Sequence, residues 1–194
     1  MKITLTNAGK RYNREWIFRH VHLELYSGKR YAITGANGSG KSTLLQVLAG
    51  AITCSEGQIT AYKSQQEVIT DAQLYRQLSI ATPYLELIEE MTAAELLAFH
   101  HLMKPLTATD TQMLDAVKLE PAMHKQIRYY SSGMKQRLKL ALAFFCDTPV
   151  LLLDEPTANL DSAGIAIYQH LLEHYTQSKL VIIGSNEPIE YPNA

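Results

Sequence analysis

Eight consecutive residues, Gly35-Ala36-Asn37-Gly38-Ser39-Gly40-Lys41-Ser42, follow the pattern G-x-x-x-x-G-K-[ST]. The pattern has a direct physical meaning. Glycines let the backbone curl until successive N–H groups converge on phosphate oxygens, and a following helix adds the positive end of its dipole. The mobile ammonium of Lys41 suits the β/γ phosphates of a nucleotide, and the Ser42 hydroxyl suits Mg²⁺. Gly35, Asn37, Gly38, Ser39, Gly40, Lys41, Ser42 and Thr43 are the candidate phosphate-binding residues. Far downstream, Val150-Leu151-Leu152-Leu153-Asp154-Glu155 sets two carboxylates at the end of an apolar run. Facing a phosphate loop, Asp154 can hold Mg²⁺ through water, and Glu155 can orient or polarise the attacking water. Alone, such a pair reads equally well as a helix cap or a solvated turn. The phosphate loop in the same chain favours the chemical reading.

The elements around these residues alternate as the chemistry requires. Val21, Leu23 and Leu25 alternate with His22, Glu24 and Tyr26, and Ile3 and Leu5 show a similar period of two, so the first thirty residues predict a small antiparallel sheet. Arg30 to Thr34 reads as a short strand, and Ser42 to Ala49 as a helix closed by Gly50. Thr92 and Glu95 form a capping box opening a helix through about Met103, and a further helix runs from Thr109 towards Lys118. Ser132 is placed to cap a long helix through Phe145, and Asp161 to cap the helix carrying Ile165, Tyr168, Leu171 and Leu172. Val150–Leu153 and Leu180–Ile183 are compact apolar runs of the kind buried in parallel sheets. The expectation is an α/β chain of one domain over residues 1–194: a P-loop core with a mostly parallel sheet between helices, a small N-terminal antiparallel part, and an inserted helical subdomain over about 84–131.

Composition narrows the class. The 194 residues are 46% hydrophobic and 19% charged, which excludes a disordered chain. A formal charge of −1 argues against nucleic acid as a partner. The apolar stretch from Leu140 to Cys146 is far short of the roughly 18–20 residues that cross a bilayer, and the first residues lack the apolar core of a signal peptide. Cys54 and Cys146 form no C-x-x-C pattern, and the pairs His100-His101 and His170/His174 lack companions that would complete a zinc set. A cytosolic protein is the expectation.

The segment Tyr130-Ser131-Ser132-Gly133-Met134-Lys135-Gln136-Arg137 resembles L-S-G-G-Q-x-Q-R, the signature of the nucleotide-binding domain of ATP-binding cassette (ABC) proteins. Ser131 matches the signature serine and Gly133 its second glycine, whereas Ser132 and Met134 replace a glycine and a glutamine. In isolation Ser-Ser-Gly before a helix is a simple cap; its place shortly before Asp154-Glu155 gives it weight. The resemblance runs from about Ile3 to Asn186. It implies ATP and Mg²⁺ as ligands, with Ser42 and Asp154 at the metal, Lys41 and Glu155 in catalysis, and Ser131, Ser132 and Gly133 on the nucleotide of a partner subunit. It also implies that Tyr12 stacks on adenine, with Trp16 or Phe18 as alternatives, and that Ala158-Asn159-Leu160-Asp161 contacts the partner.

Two positions depart from the family. Tyr84, after Pro83, stands where a Mg²⁺-sensing glutamine is expected, and a phenol is a weak ligand. Asn186, in Gly184-Ser185-Asn186, stands where the family has a switch histidine; it can hydrogen-bond a γ-phosphate but cannot carry a proton. Slow hydrolysis is the implied consequence. The resemblance therefore implies an ATPase subunit that dimerises around ATP with itself or a paralogue and powers transport through a separate transmembrane permease. Such a subunit lies in the cytoplasm, peripheral to the inner face of the membrane through its partner. The alternative is an ATP-gated interaction module with little or no hydrolysis. A small-molecule kinase fits the signature turn less well.

Overall fold

The computed structural model describes residues 1–63 and 67–194. Along the chain, β1 (Lys2–Tyr12), β2 (Glu15–Tyr26), β3 (Arg30–Ile33) and α1 (Lys41–Leu48) come first. They are followed by β4 (Glu56–Tyr62), β5 (Val68–Ile69), the short α2 (Asp71–Leu74) and β6 (Leu78–Ala81). Next come α3 (Ala93–Met103), α4 (Asp110–Ala116), α5 (Ser132–Phe144), β7 (Val150–Asp154), α6 (Ser162–His174) and β8 (Leu180–Gly184). The chain forms two compact units: Met1–Leu78 with Thr148–Asp154 and Ser178–Ala194, and Ser79–Asp147 with Glu155–Gln177. The helical stretch 84–131 lies inside the second.

The first unit holds an antiparallel sheet in the order β2-β1-β4-β5. Ile3, Leu5 and Ala8 on the central strand β1 are buried, whereas on the edge strand β2 only Leu25 is, and Leu23 stands 42% exposed. The alternation of β2 thus overstates its burial, because an edge strand is covered over only part of its length. β4, Glu-Gly-Gln-Ile-Thr-Ala-Tyr, has no clean apolar period and is held by its ladder to β1, from Lys2↔Tyr62 to Gly9↔Glu56. A parallel array runs β3-β8-β7, with Ile33 opposite Gly184 and Asp154 also opposite Gly184. Val150 to Leu153 and Leu180 to Ile183 are buried almost completely, as strands covered on both faces must be. Each such side chain contributes about 1.5–3 kcal/mol of hydrophobic stabilisation. Helix α1 packs on β7 and β8, so the phosphate-loop helix and the carboxylate strand share one rigid core.

In the second unit α5 packs against α3, α4 and α6, and the Phe144 and Tyr168 rings meet edge to face at 6.2 Å. Capping boxes open both α3 (Thr92 with Glu95) and α4 (Thr109 with Gln112), and Asp161 caps α6 by accepting the Gly164 N–H at 2.8 Å. The cap of α5 differs from expectation. Ser131, not Ser132, is its N-cap and accepts the Met134 N–H at 3.2 Å. Ser132 is already helical.

Candidate functional site

Between β3 and α1 the chain runs through the glycine-rich loop. The φ of +97° at Gly40 lies in the left-handed region, and a Cβ there would sit 2.3 Å from Ile17 Cγ2. No side-chain-bearing residue fits that position without strain. Gly40→Ala is expected to lower stability by about 2 kcal/mol, read as a lower urea midpoint at unchanged m-value. At Gly38, φ +81°, an added Cβ would meet nothing within 4 Å, so the outer face of the loop is open.

Helix α1 begins at the N-cap Gly40 with no capping side chain and no acidic residue in its first turn. No side chain of that turn answers its positive end, which leaves it open to an outside anion. The Lys41 side chain is buried, at 6% exposure, and its Nζ donates to the carbonyls of Gly35 at 2.7 Å and Ala36 at 3.3 Å. The loop's own carbonyls thereby supply the ammonium with partners. Ser42 and Thr43 follow in the first turn of α1.

At the end of β7, Asp154 is 3% exposed and its Oδ1 lies 3.1 Å from where a Cβ of Gly184 would stand. The missing side chain on β8 is what admits the carboxylate. Asp154 and the Ser42 hydroxyl are hard oxygen donors of the kind Mg²⁺ selects, so the donor set fits that ion. The next residue, Glu155, is exposed and takes a φ of +44°, a bend that ends the extended run of β7. After β8, Ser185 is buried and Asn186 returns to the loop: its Oδ1 accepts the Gly35 N–H at 3.2 Å and its Nδ2 donates to Asn37 Oδ1 at 2.9 Å. The family resemblance implies a place for Asn186 near a γ-phosphate. The structure adds its hold on the loop, a contact between residues 149 positions apart that no local pattern announces.

Tyr12 ends β1 in the hairpin with Glu15, about half exposed, with Lys10 Nζ 5.2 Å from its ring centre. Trp16 instead has the Arg11 and Arg19 guanidinium groups over its ring, at 5.6 and 4.4 Å. Its faces are thus more occupied than those of Tyr12.

In the second unit, Ser131 and Ser132 are exposed at the start of α5, whose first turn carries no acidic residue. Ser131 Oγ accepts from Met134 N and so keeps its own proton to donate. The signature helix also grips the segment after the carboxylates: the buried Gln136 Nε2 donates to Pro156 O at 2.9 Å, and a Cβ on Gly133 would stand 3.1 Å from Asn159 O. Sequence reading does not single out Lys139 of α5. It is nearly buried and its Nζ donates to Pro83 O at 2.9 Å and Thr82 O at 3.4 Å, tethering the segment that leads to Tyr84. Burial, and the neighbouring Lys135, push the Lys139 pKa down. Tyr84 itself is 82% exposed. Elsewhere in this unit the His170 and His174 rings pack at 4.3 Å, and His101 Nε2 lies 2.9 Å from Asp110 Oδ1.

Comparison with known proteins covers both units. Residues 18–158 match the family model described as ABC transporter. The chain is 31% identical over 201 residues to the cytochrome c biogenesis ATP-binding export protein CcmA of Rhizobium etli, covering 100% of this chain and 92% of that one. It is 29% identical over 198 residues to ABC transporter I family member 1 of Arabidopsis thaliana, covering 100% of this chain and 85% of that one. The fold is similar to the dimeric structure of MJ0796, a bacterial ABC transporter cassette, with a TM-score of 0.80 at 25% identity, over 95% of this chain and 88% of that one.

Proposed function

This chain belongs to the ABC transporter family as one of its ATP-binding ATPase subunits, and from that premise we propose that it dimerises around ATP, with itself or a paralogue, and powers transport through a separate membrane-spanning partner. One observation carries the nucleotide assignment: α1 starts at Gly40 with neither a capping side chain nor an acid, beside a buried Lys41. Residues Gly35, Asn37, Gly38, Ser39, Gly40, Lys41, Ser42 and Thr43 hold the phosphates, and Tyr12 offers its more open ring to adenine. Ser42 and Asp154 would hold Mg²⁺, which would supply neutralisation of the phosphate charge. Glu155 takes the role of polarising the attacking water. Asn186 keeps a second Nδ2 hydrogen for a γ-phosphate oxygen, a weaker anchor than a charged ring, which favours slow basal turnover.

Dimerisation follows from incomplete coordination. A phosphate in one subunit's loop gains donors when the partner's Ser131-Ser132-Gly133 turn faces it, so ATP bridges the subunits and its hydrolysis removes the bridge. The uncommitted Ser131 proton and the acid-free N-terminus of α5 support this reading.

Among the described residues no helix is long and apolar enough to cross a membrane. In the second unit, however, Tyr84, Leu85, Ile88, Phe99, Leu102 and Met103 expose their side chains, Leu102 to 85%. So many exposed apolar groups within twenty residues support docking to a membrane subunit there, which would hold the chain at the inner face of the membrane. The sandwich is tested on a sizing column. With Glu155→Gln to prevent turnover, saturating Mg-ATP is expected to shift the protein to the elution volume of a dimer, and adding Ser131→Arg to return it to monomer. A protein that stays monomeric under those conditions counts against the ATP sandwich.

A further inference from the structure

We propose that Asn186 and Asn37 form a clasp that pre-sets the phosphate loop, making Asn186 a positioning residue for any nucleotide, with or without a γ-phosphate. The proposal rests on the reading of Gly35 to Thr43 as a phosphate site. Its basis is the direction of the two hydrogen bonds. The Gly35 N–H can only donate, so the amide atom 3.2 Å away must be Asn186 oxygen. That choice turns Asn186 Nδ2 towards Asn37, whose facing atom at 2.9 Å must then be its oxygen. One backbone donor thus fixes the orientation of both amides.

The clasp continues a rigid ladder. β3 and β8 are neighbouring parallel strands with Ile33 opposite Gly184, and Ser185 N donates to Ile33 O at 3.1 Å. Asn186 is the next residue but one after the buried Gly184, so its backbone is set by the sheet before its side chain reaches the loop. Both polar groups of Gly35 are engaged, its N–H by Asn186 and its carbonyl by Lys41. Two residues on, Asn37 is tied to the same anchor. Gly38 follows at once with its open φ of +81°, in a turn that the Ser39 N–H closes on Ala36 O at 3.0 Å; the clasp adds a side-chain tie from β8 to that backbone closure. Holding a loop in its binding shape lowers the ordering cost that a ligand must otherwise meet.

Because the clasp acts through the loop, its loss weakens ADP as well as ATP. A residue that only senses the γ-phosphate leaves ADP untouched. The experiment is calorimetric titration of Mg-ADP and Mg-ATP into the wild type, Asn186→Ala, Asn37→Ala and the double variant, with thermal unfolding to verify that each folds. Both asparagines are exposed, so their truncation spares the core. Each single variant is expected to weaken ADP about three- to tenfold, and the double variant no more than the worse single, since either change opens the same clasp. Unchanged ADP affinity in Asn186→Ala, or single effects that multiply in the double variant, overturns the clasp while leaving the phosphate site intact. A wild type that binds neither nucleotide overturns the phosphate-site reading, and the clasp with it.

Discussion

Glu155→Gln is expected to lower steady-state phosphate release by about a hundredfold or more while leaving ATP binding in place. Glutamine keeps the volume and hydrogen-bonding reach of glutamate but cannot take a proton or present a negative charge to the attacking water. Removing one well-placed electrostatic contribution to a transition state costs roughly 2–4 kcal/mol, and phosphoryl transfer depends almost wholly on positioning and charge. The exposed setting of Glu155 and its φ of +44° are both kept by glutamine, so the comparison isolates the charge. A phosphate-release assay at saturating Mg-ATP decides the matter. If the variant turns over as fast as the wild type, Glu155 does not activate water. If the wild type itself releases no phosphate, with or without its membrane partner, the ATP-gated module is the better description.

Lys41→Met is the second large effect. It is expected to weaken ATP and ADP at least tenfold, about 1.4 kcal/mol or more, by calorimetry. Methionine is preferred to alanine because Lys41 is buried, and a shortened side chain would leave a gap as well as remove a charge. The variant also takes away the donor that holds the Gly35 and Ala36 carbonyls. Loop disorder therefore adds to the lost attraction for phosphate. Unchanged affinity would remove the phosphate loop from the nucleotide site.

Much of this was legible in the sequence, because the signals concerned are local. The glycine spacing at 35–42, the capping residues Thr92 and Asp161, and the apolar runs of β7 and β8 each act through neighbours a few positions away. What escaped is long-range or degenerate. β4 owes its extended form to β1 rather than to a period of its own. Ser131 and Ser132 are the same residue type side by side, and only the bond to Met134 N distinguishes the cap from the first helical residue. Lys139 reads as one more charged residue of α5, after Lys135 and Arg137, until the fold brings the carbonyls of Thr82 and Pro83 to it. The grip of Asn186 on the loop likewise depends on two strands lying side by side.

The bend at Glu155 sets chemistry against folding. A glutamate at φ +44° occupies a conformation that costs a side-chain-bearing L-residue about 1 kcal/mol, and that glycine or asparagine adopts with less strain. Selection for stability alone would not choose glutamate here. A descendant freed from the need to hydrolyse would drift at this position first, towards a residue the backbone tolerates better, and would gain firmness by it. On the proposed role of Glu155, the need for a carboxylate at the water sets the residue here, where the backbone alone would favour another.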